Sequence, residues 1–183
     1  MGIKVNVSEQ ESTSGDRSFD SLPIGRYHVA ITAVDLLESE SENNYGKPML
    51  NFEFTIQDTP GTWQKFANRK DWINACLWDG ALYTIVGILK ALPSQKGKKN
   101  AYEDNMKPTN KTDDEGKPVY ELDIPTEPEY YEGQELIIRR GKNKKQVEKF
   151  PDMPERHVEI RGFGMYDPET AHKGHAVTEE VPF

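Results

Sequence analysis

Residues 49–58 read MLNFEFTIQD, and their alternation decides what kind of chain this is. Leu50, Phe52, Phe54 and Ile56 fall on one side of an extended backbone, and Asn51, Glu53, Thr55 and Gln57 on the other. Successive side chains of a strand point to opposite faces, so this stretch predicts a strand with one buried and one wet side. Upstream, residues 22–41 (LPIGRYHVAITAVDLLESES) open with a Pro23–Gly25 turn, after which Tyr27, Val29, Ile31 and Ala33 alternate with His28, Ala30 and Thr32. That is a second strand. Downstream, residues 64–78 (QKFANRKDWINACLW) read as a third, mixed in polarity and open to a bulge.

At residues 79–93 (DGALYTIVGILKALP) the apolar period changes from 2 to 3.6. Leu82, Ile85, Val86, Leu89 and Leu92 recur at helical spacing, Asp79 stands where an N-cap belongs, and Pro93 ends the run. Residues 96–132 are rich in Lys, Asn, Asp, Glu and Pro, and read as an extended insertion with little regular structure beyond a short edge strand at VYELDI. Residues 134–140 (QELIIRR) and 156–166 (RHVEIRGFGMY) supply two more strands.

Strand, strand, strand, helix, strand, strand is the element order of an OB-fold. The expectation is a mainly β protein: a five-stranded OB-fold barrel with one α-helix between strands 3 and 4, a long insertion and flexible termini. Another small α+β domain would fit the same order. The domain reading is a flexible lead-in at 1–21, an OB-fold domain at 22–166 carrying the acidic insertion 96–132, and a flexible tail at 167–183 ending in EEVPF.

Composition narrows the function. The net charge of −8 argues against a surface uniformly positive for nucleic acid. Between Asp113 and Glu135 nine acids face one base, Lys117, so that window alone carries a charge equal to the whole chain's. A single cysteine, Cys76, excludes an intramolecular disulfide and a cysteine-based zinc site, and no apolar run suits a membrane helix or a signal peptide. A cytoplasmic location is expected, without membrane association. Phosphate-binding, metalloprotease and nucleophile-elbow motifs are missing, so no catalytic residue, cofactor or metal is predicted. His172 and His175 in the tail, Cys76 in a strand, and the glycines of GFGMY have bland structural readings.

Two basic clusters and one terminus carry the functional expectation. In residues 63–78 the aromatics Trp63, Phe66, Trp72 and Trp78 interleave with Lys65, Arg69 and Lys70. Single-strand binders combine flat aromatic platforms with cations that follow the phosphates. Alternation would put Phe66, Lys70 and Trp72 on one face, with Trp78 in the core and Trp72 open to either role. The second cluster is Arg139, Arg140, Lys142, Lys144, Lys145 and Lys149, around the connection of the last two strands, which in OB-folds forms one wall of the oligonucleotide groove. A solvated hairpin tip is the alternative. Finally, Glu179, Glu180, Val181, Pro182 and Phe183 make an acidic peptide ending in Pro-Phe-carboxylate, suited to an apolar pocket rimmed by cations on another protein.

With these features together, the chain resembles single-stranded DNA-binding proteins. Its end is similar to the acidic tail of bacterial members, which finish acid-acid-acid-Ile-Pro-Phe; here Val181 replaces Ile, and Lys173 with two histidines interrupts the acidity. LPIGRYHVAITAVDL, GKPMLNFEFTIQD and ALYTIVGILKAL look more like phage-encoded members, and the likeness spans roughly residues 22–166. The resemblance implies a non-enzymatic protein that coats single-stranded DNA with little sequence preference during phage DNA replication, recombination or repair. It would act in the host cytoplasm and recruit polymerase, helicase/primase or recombinase through its tail. Homo-oligomerisation stays open. The alternatives are a recombination mediator or strand-annealing protein, and an acidic adaptor or DNA mimic.

Overall fold

The alternating stretch at the centre of the sequence is a strand whose apolar side is wholly enclosed. In β2, Pro48–Ile56, the side chains of Leu50, Phe52, Phe54 and Ile56 have no solvent exposure, while Asn51, Glu53 and Thr55 on the other side are half-exposed. The computed structural model describes residues 22–59 and 66–171. The predicted lead-in 1–21, Trp63, Lys65, His172, His175 and the terminal residues Glu179 to Phe183 lie outside the described residues.

β1, Gly25–Glu38, is the long central strand. It pairs with β2 over Val29–Glu38 and with β6, Glu135–Lys142, over Gly25–Ala30. β3, Lys70–Cys76, lies outside β2, and β7, Val158–Met165, lies outside β6. The result is a five-stranded antiparallel sheet in the order β3-β2-β1-β6-β7. β3 and β7 are its edges, and among the described residues no strand pairing joins them.

Helix α1, Tyr83–Ala91, packs against both edge strands and brings Ile85, Ile88, Leu89 and Leu92 to the apolar face of the sheet. Its glycine is a contact point: a Cβ at Gly87 would stand 3.0 Å from Cδ2 of Phe163 on β7. The short α3, Pro128–Tyr131, adds Tyr131, buried edge-on against Phe52 at 5.1 Å. Each fully buried large apolar side chain contributes roughly 1.5–3 kcal/mol, so one core holds sheet and helices together.

Four local expectations need correction. The alternation of β1 breaks at Thr32, where the register with β2 shifts and Val34, not Ala33, becomes the buried residue. A bulge bends the strand and turns the next side chains over. The third strand is shorter than residues 64–78: Phe66 to Arg69 form a turn through Asn68, whose φ of 66° is left-handed, before the strand begins at Lys70. Asp79 does not cap α1, because Asp79 and Gly80 (φ 83°) turn the chain out of β3 and the helix starts only at Tyr83, behind Leu82.

The fourth concerns residues 96–132: the short strand expected at VYELDI is present, but the stretch, expected to hold little else that is regular, also contains a second strand and two short helices. α2, Ala101–Asn105, is capped by Asn100, whose Oδ1 accepts from the Glu103 amide at 3.0 Å. A separate two-stranded hairpin follows, β4 (Met106–Thr112) against β5 (Pro118–Leu122). Most of its side chains are exposed on both faces, which removes the period-2 signal that marks a half-buried strand. Asp104, enclosed beneath the 94–99 loop, accepts from Ser94 Oγ at 2.6 Å and from the Gln95 amide at 2.7 Å.

Candidate nucleic-acid interface

Alternation along β3 sorts the first basic-aromatic cluster. Lys70, Trp72 and Asn74 point away from the core, opposite Thr55, Glu53 and Asn51 of β2, while Asp71, Ile73 and Ala75 point inward. The outer face is a polar network. Lys70 Nζ donates to Glu53 Oε1 at 2.7 Å, Thr32 Oγ1 donates to the same oxygen at 2.8 Å, and Asn51 Nδ2 donates to Asn74 Oδ1 at 2.7 Å. The Lys70 and Thr32 hydrogen bonds hold the Glu53 carboxyl below its ordinary range. Above this network the Trp72 side chain is 54% exposed.

Phe66 leaves that face. It sits edge-on to the buried Tyr27 ring at 5.7 Å, packed against the core, because it precedes the strand and belongs to the turn. Arg69 is half-buried nearby. Burial pushes the Tyr27 phenol up to about 12, against the pull of the Arg140 and Arg69 charges, and its hydroxyl donates to the Pro23 carbonyl at 2.8 Å. Trp78, expected in the core, is half-buried, with Lys47 Nζ 5.5 Å from its ring centre.

The two adjacent arginines of β6 part company. Arg140 shares the inward face of Leu136 and Ile138 and is 6% exposed. Its Nη1 donates to Asp71 Oδ2, and its Nη2 donates to the Val158 carbonyl at 2.8 Å. A guanidinium so enclosed is committed to the interior, so its assignment to phosphate is corrected. Arg139 faces outward, level with Gly162, and its Nη2 lies 3.1 Å from where a Cβ at Gly164 would stand. Gly164 of GFGMY thus leaves room for this side chain.

The connection between β6 and β7 is not a bare hairpin tip. It contains α4, Lys144–Lys149, capped by Asn143, whose Oδ1 accepts from the Lys145 amide at 3.1 Å and whose Nδ2 donates to Glu159 Oε1 at 2.7 Å. Lys142, Lys144, Lys145 and Lys149 are exposed around it. Arg156 stacks on the Phe150 ring at 4.7 Å from the other side of the connection. Lysines in the first turn of a helix oppose its dipole, at a cost of roughly 0.3–1 kcal/mol each at low salt.

One element of the surface escaped the sequence reading. The edges β3 and β7 and the start of α1 enclose a cleft of about 530 Å³, lined among others by Trp72, Asn74, Tyr83, Arg161 and Phe163. Tyr83 is 81% exposed. Its signal was present, since it lies off the apolar stripe of α1 where a helix in this setting would ordinarily carry a polar residue.

Among the described residues no group of three His, Cys, Asp or Glu is placed to hold a metal, and no helix is long and apolar enough to cross a membrane. Cys76 ends β3, half-buried, and burial raises its thiol. No protein-family model and no curated protein matches this chain.

Proposed function

We propose that the protein binds single-stranded DNA without strong sequence preference, on an OB-type barrel left open between β3 and β7. The observation that carries this reading is the exposed Trp72 at the outer edge of the β2–β3 face, in an OB-like strand order whose equivalent face binds oligonucleotides. An aromatic platform there accepts any base, because every base has a π-face. Lys142, Lys144 and Lys145 on the β6–β7 connection supply the cations that follow the backbone, with Arg139 on the outer face of β6. The acidic peptide Glu179–Phe183 recruits replication or recombination proteins.

The test is fluorescence anisotropy of a labelled dT oligonucleotide against the full chain and against a version lacking Glu179 to Phe183, at two salt concentrations. The proposal expects salt-sensitive binding that survives truncation. Absence of binding by both versions overturns it and favours the acidic adaptor. An assay with complementary strands separates coating from annealing.

A further inference from the structure

The geometry points to the β3–β7 cleft as a nucleobase site, with Trp72 and Tyr83 as its two stacking platforms; this inference rests on the single-stranded DNA reading. Unpaired sheet edges are a liability that proteins usually blunt or cover. Here both edges open on one cavity, and the side chains at its mouth are not the aliphatic residues that would seal it. Trp72 and Tyr83 are 54% and 81% exposed, although each would remove a large apolar area from water if covered. Two such rings lining the same cleft are placed for a flat ligand.

The cleft walls suit a base better than a phosphate. Asn74 and Thr84 bring polar groups, and Phe163 and Ile73 an apolar floor, with the Phe163 ring set close against Gly87. The charges inside are matched: Arg161 Nη1 donates to Glu159 Oε1 at 3.0 Å, and the same oxygen accepts from Asn143 Nδ2 at 2.7 Å. A volume of about 530 Å³ lies within the roughly 300–1,000 Å³ of small-ligand sites.

The surroundings place the sugar-phosphate path. Lys142 is the register partner of Val158, directly before the cleft residue Glu159, and α4 with Lys144 and Lys145 follows within two positions. A strand whose phosphates track these lysines enters the cleft at its β7 end. A base turned inward there meets the Glu159–Arg161 pair first and the two aromatic rings beyond. Tyr83 thereby becomes a binding residue although no basic-aromatic cluster contains it.

The experiment uses the full chain with a dT oligonucleotide carrying one 5-iododeoxyuridine, cross-linked by ultraviolet light and mapped by mass spectrometry, beside the affinities of Tyr83→Ala and Tyr83→Phe. Adducts on Trp72 and Tyr83 are expected, with affinity lowered roughly 5- to 150-fold by Tyr83→Ala, the range for one lost base stack, and kept by Tyr83→Phe. Tyr83 is so exposed that Tyr83→Ala should keep the parent's circular dichroism and melting temperature. If the parent binds DNA while Tyr83→Ala binds equally well, or while adducts fall only outside the cleft, the base site is refuted and the DNA-binding reading stands. A peptide strand added to the β3 edge would give that same insensitivity. If the parent binds no oligonucleotide, both fall.

Discussion

Arg140 of β6 and Asp71 of β3, 69 positions apart and on strands that are not neighbours, form an ion pair on the inward side of the sheet. Their side chains are 7% and 14% exposed. Withdrawing two charges from water is costly and is offset only by close pairing and further hydrogen bonds, here Arg140 to the Val158 carbonyl. The pair ties together the two halves of the sheet on the side where Tyr27 and Phe66 meet.

Removing one member therefore leaves a buried charge without its partner. Asp71→Ala or Arg140→Ala is expected to destabilise by roughly 3–5 kcal/mol, whereas exchanging both for apolar residues should cost much less than the sum. Urea unfolding of the two single variants and the double variant measures the coupling. A DNA affinity that falls for Arg140→Ala at temperatures where the variant remains folded would contradict the structural role.

Trp72→Ala should separate binding from stability. With the side chain more than half exposed, the melting temperature is expected to shift by little. Affinity for a dT oligonucleotide should fall by about 1–3 kcal/mol, the contribution of one stacked base. An unchanged affinity by anisotropy would remove Trp72 from the interface.

Salt dependence counts the cations. With Arg140 committed to Asp71 and Lys70 hydrogen-bonded to Glu53, the path proposed above takes about four contacts, from Arg139, Lys142, Lys144 and Lys145. At about 0.7 per contact, log affinity should fall with log salt at a slope near −3. Replacing Lys142, Lys144 and Lys145 by Gln is expected to flatten that slope by about 2; a slope that stays the same places the phosphates elsewhere.

Stability should also report on His28. This residue faces outward from β1 yet is enclosed, its ring stacked on Tyr166 at 3.6 Å, Nδ1 against Thr59 Oγ1 at 2.5 Å, and Nε2 3.0 Å from Glu135 Oε1. Burial lowers its pKa from 6.5, with Glu135 pulling the other way and losing. Between the two values the unfolded chain binds more protons than the folded one, so stability is highest above about pH 6.5 and falls as the pH drops toward the folded value. Denaturant midpoints measured from pH 8 to pH 5 should decline in the parent and decline less in His28→Gln. A parent whose midpoint rises on acidification would reverse the sign and make the Glu135 pairing dominant.

How much of this was legible follows from where each residue lies in its period. β2 was readable because all four apolar positions face one core, and all four are buried. The difference between Arg139 and Arg140 was readable too, by extending the inward register of Leu136 and Ile138 one step, as was Asp71 from Ile73 and Ala75. Reading the arginines as one cluster hid the alternation. The bulge at Thr32 had no local mark, since it depends on how β1 meets β2 across the sheet. Of the β4–β5 hairpin only β5 was legible, as the edge strand at VYELDI; β4 was hidden because most of its side chains are exposed and leave no apolar pattern. The cleft was beyond a linear reading, being assembled from β3, α1 and β7.

β1 is shared by both halves of the sheet, and its pairing with β6 sets a waiting time during synthesis. Gly25 pairs with Arg140, 115 positions later, whereas the β1–β2–β3 meander closes as soon as β3 leaves the ribosome. At about 5–20 residues per second, the β6 side of β1 stays without its partner for roughly 6–23 seconds. During that interval Tyr27, Val29 and Ile31 present an apolar, open-edged strand to solvent. A nascent chain stalled between Cys76 and Glu135 is thus the species most prone to aggregate or to engage a chaperone, and release of β6 ends that exposure.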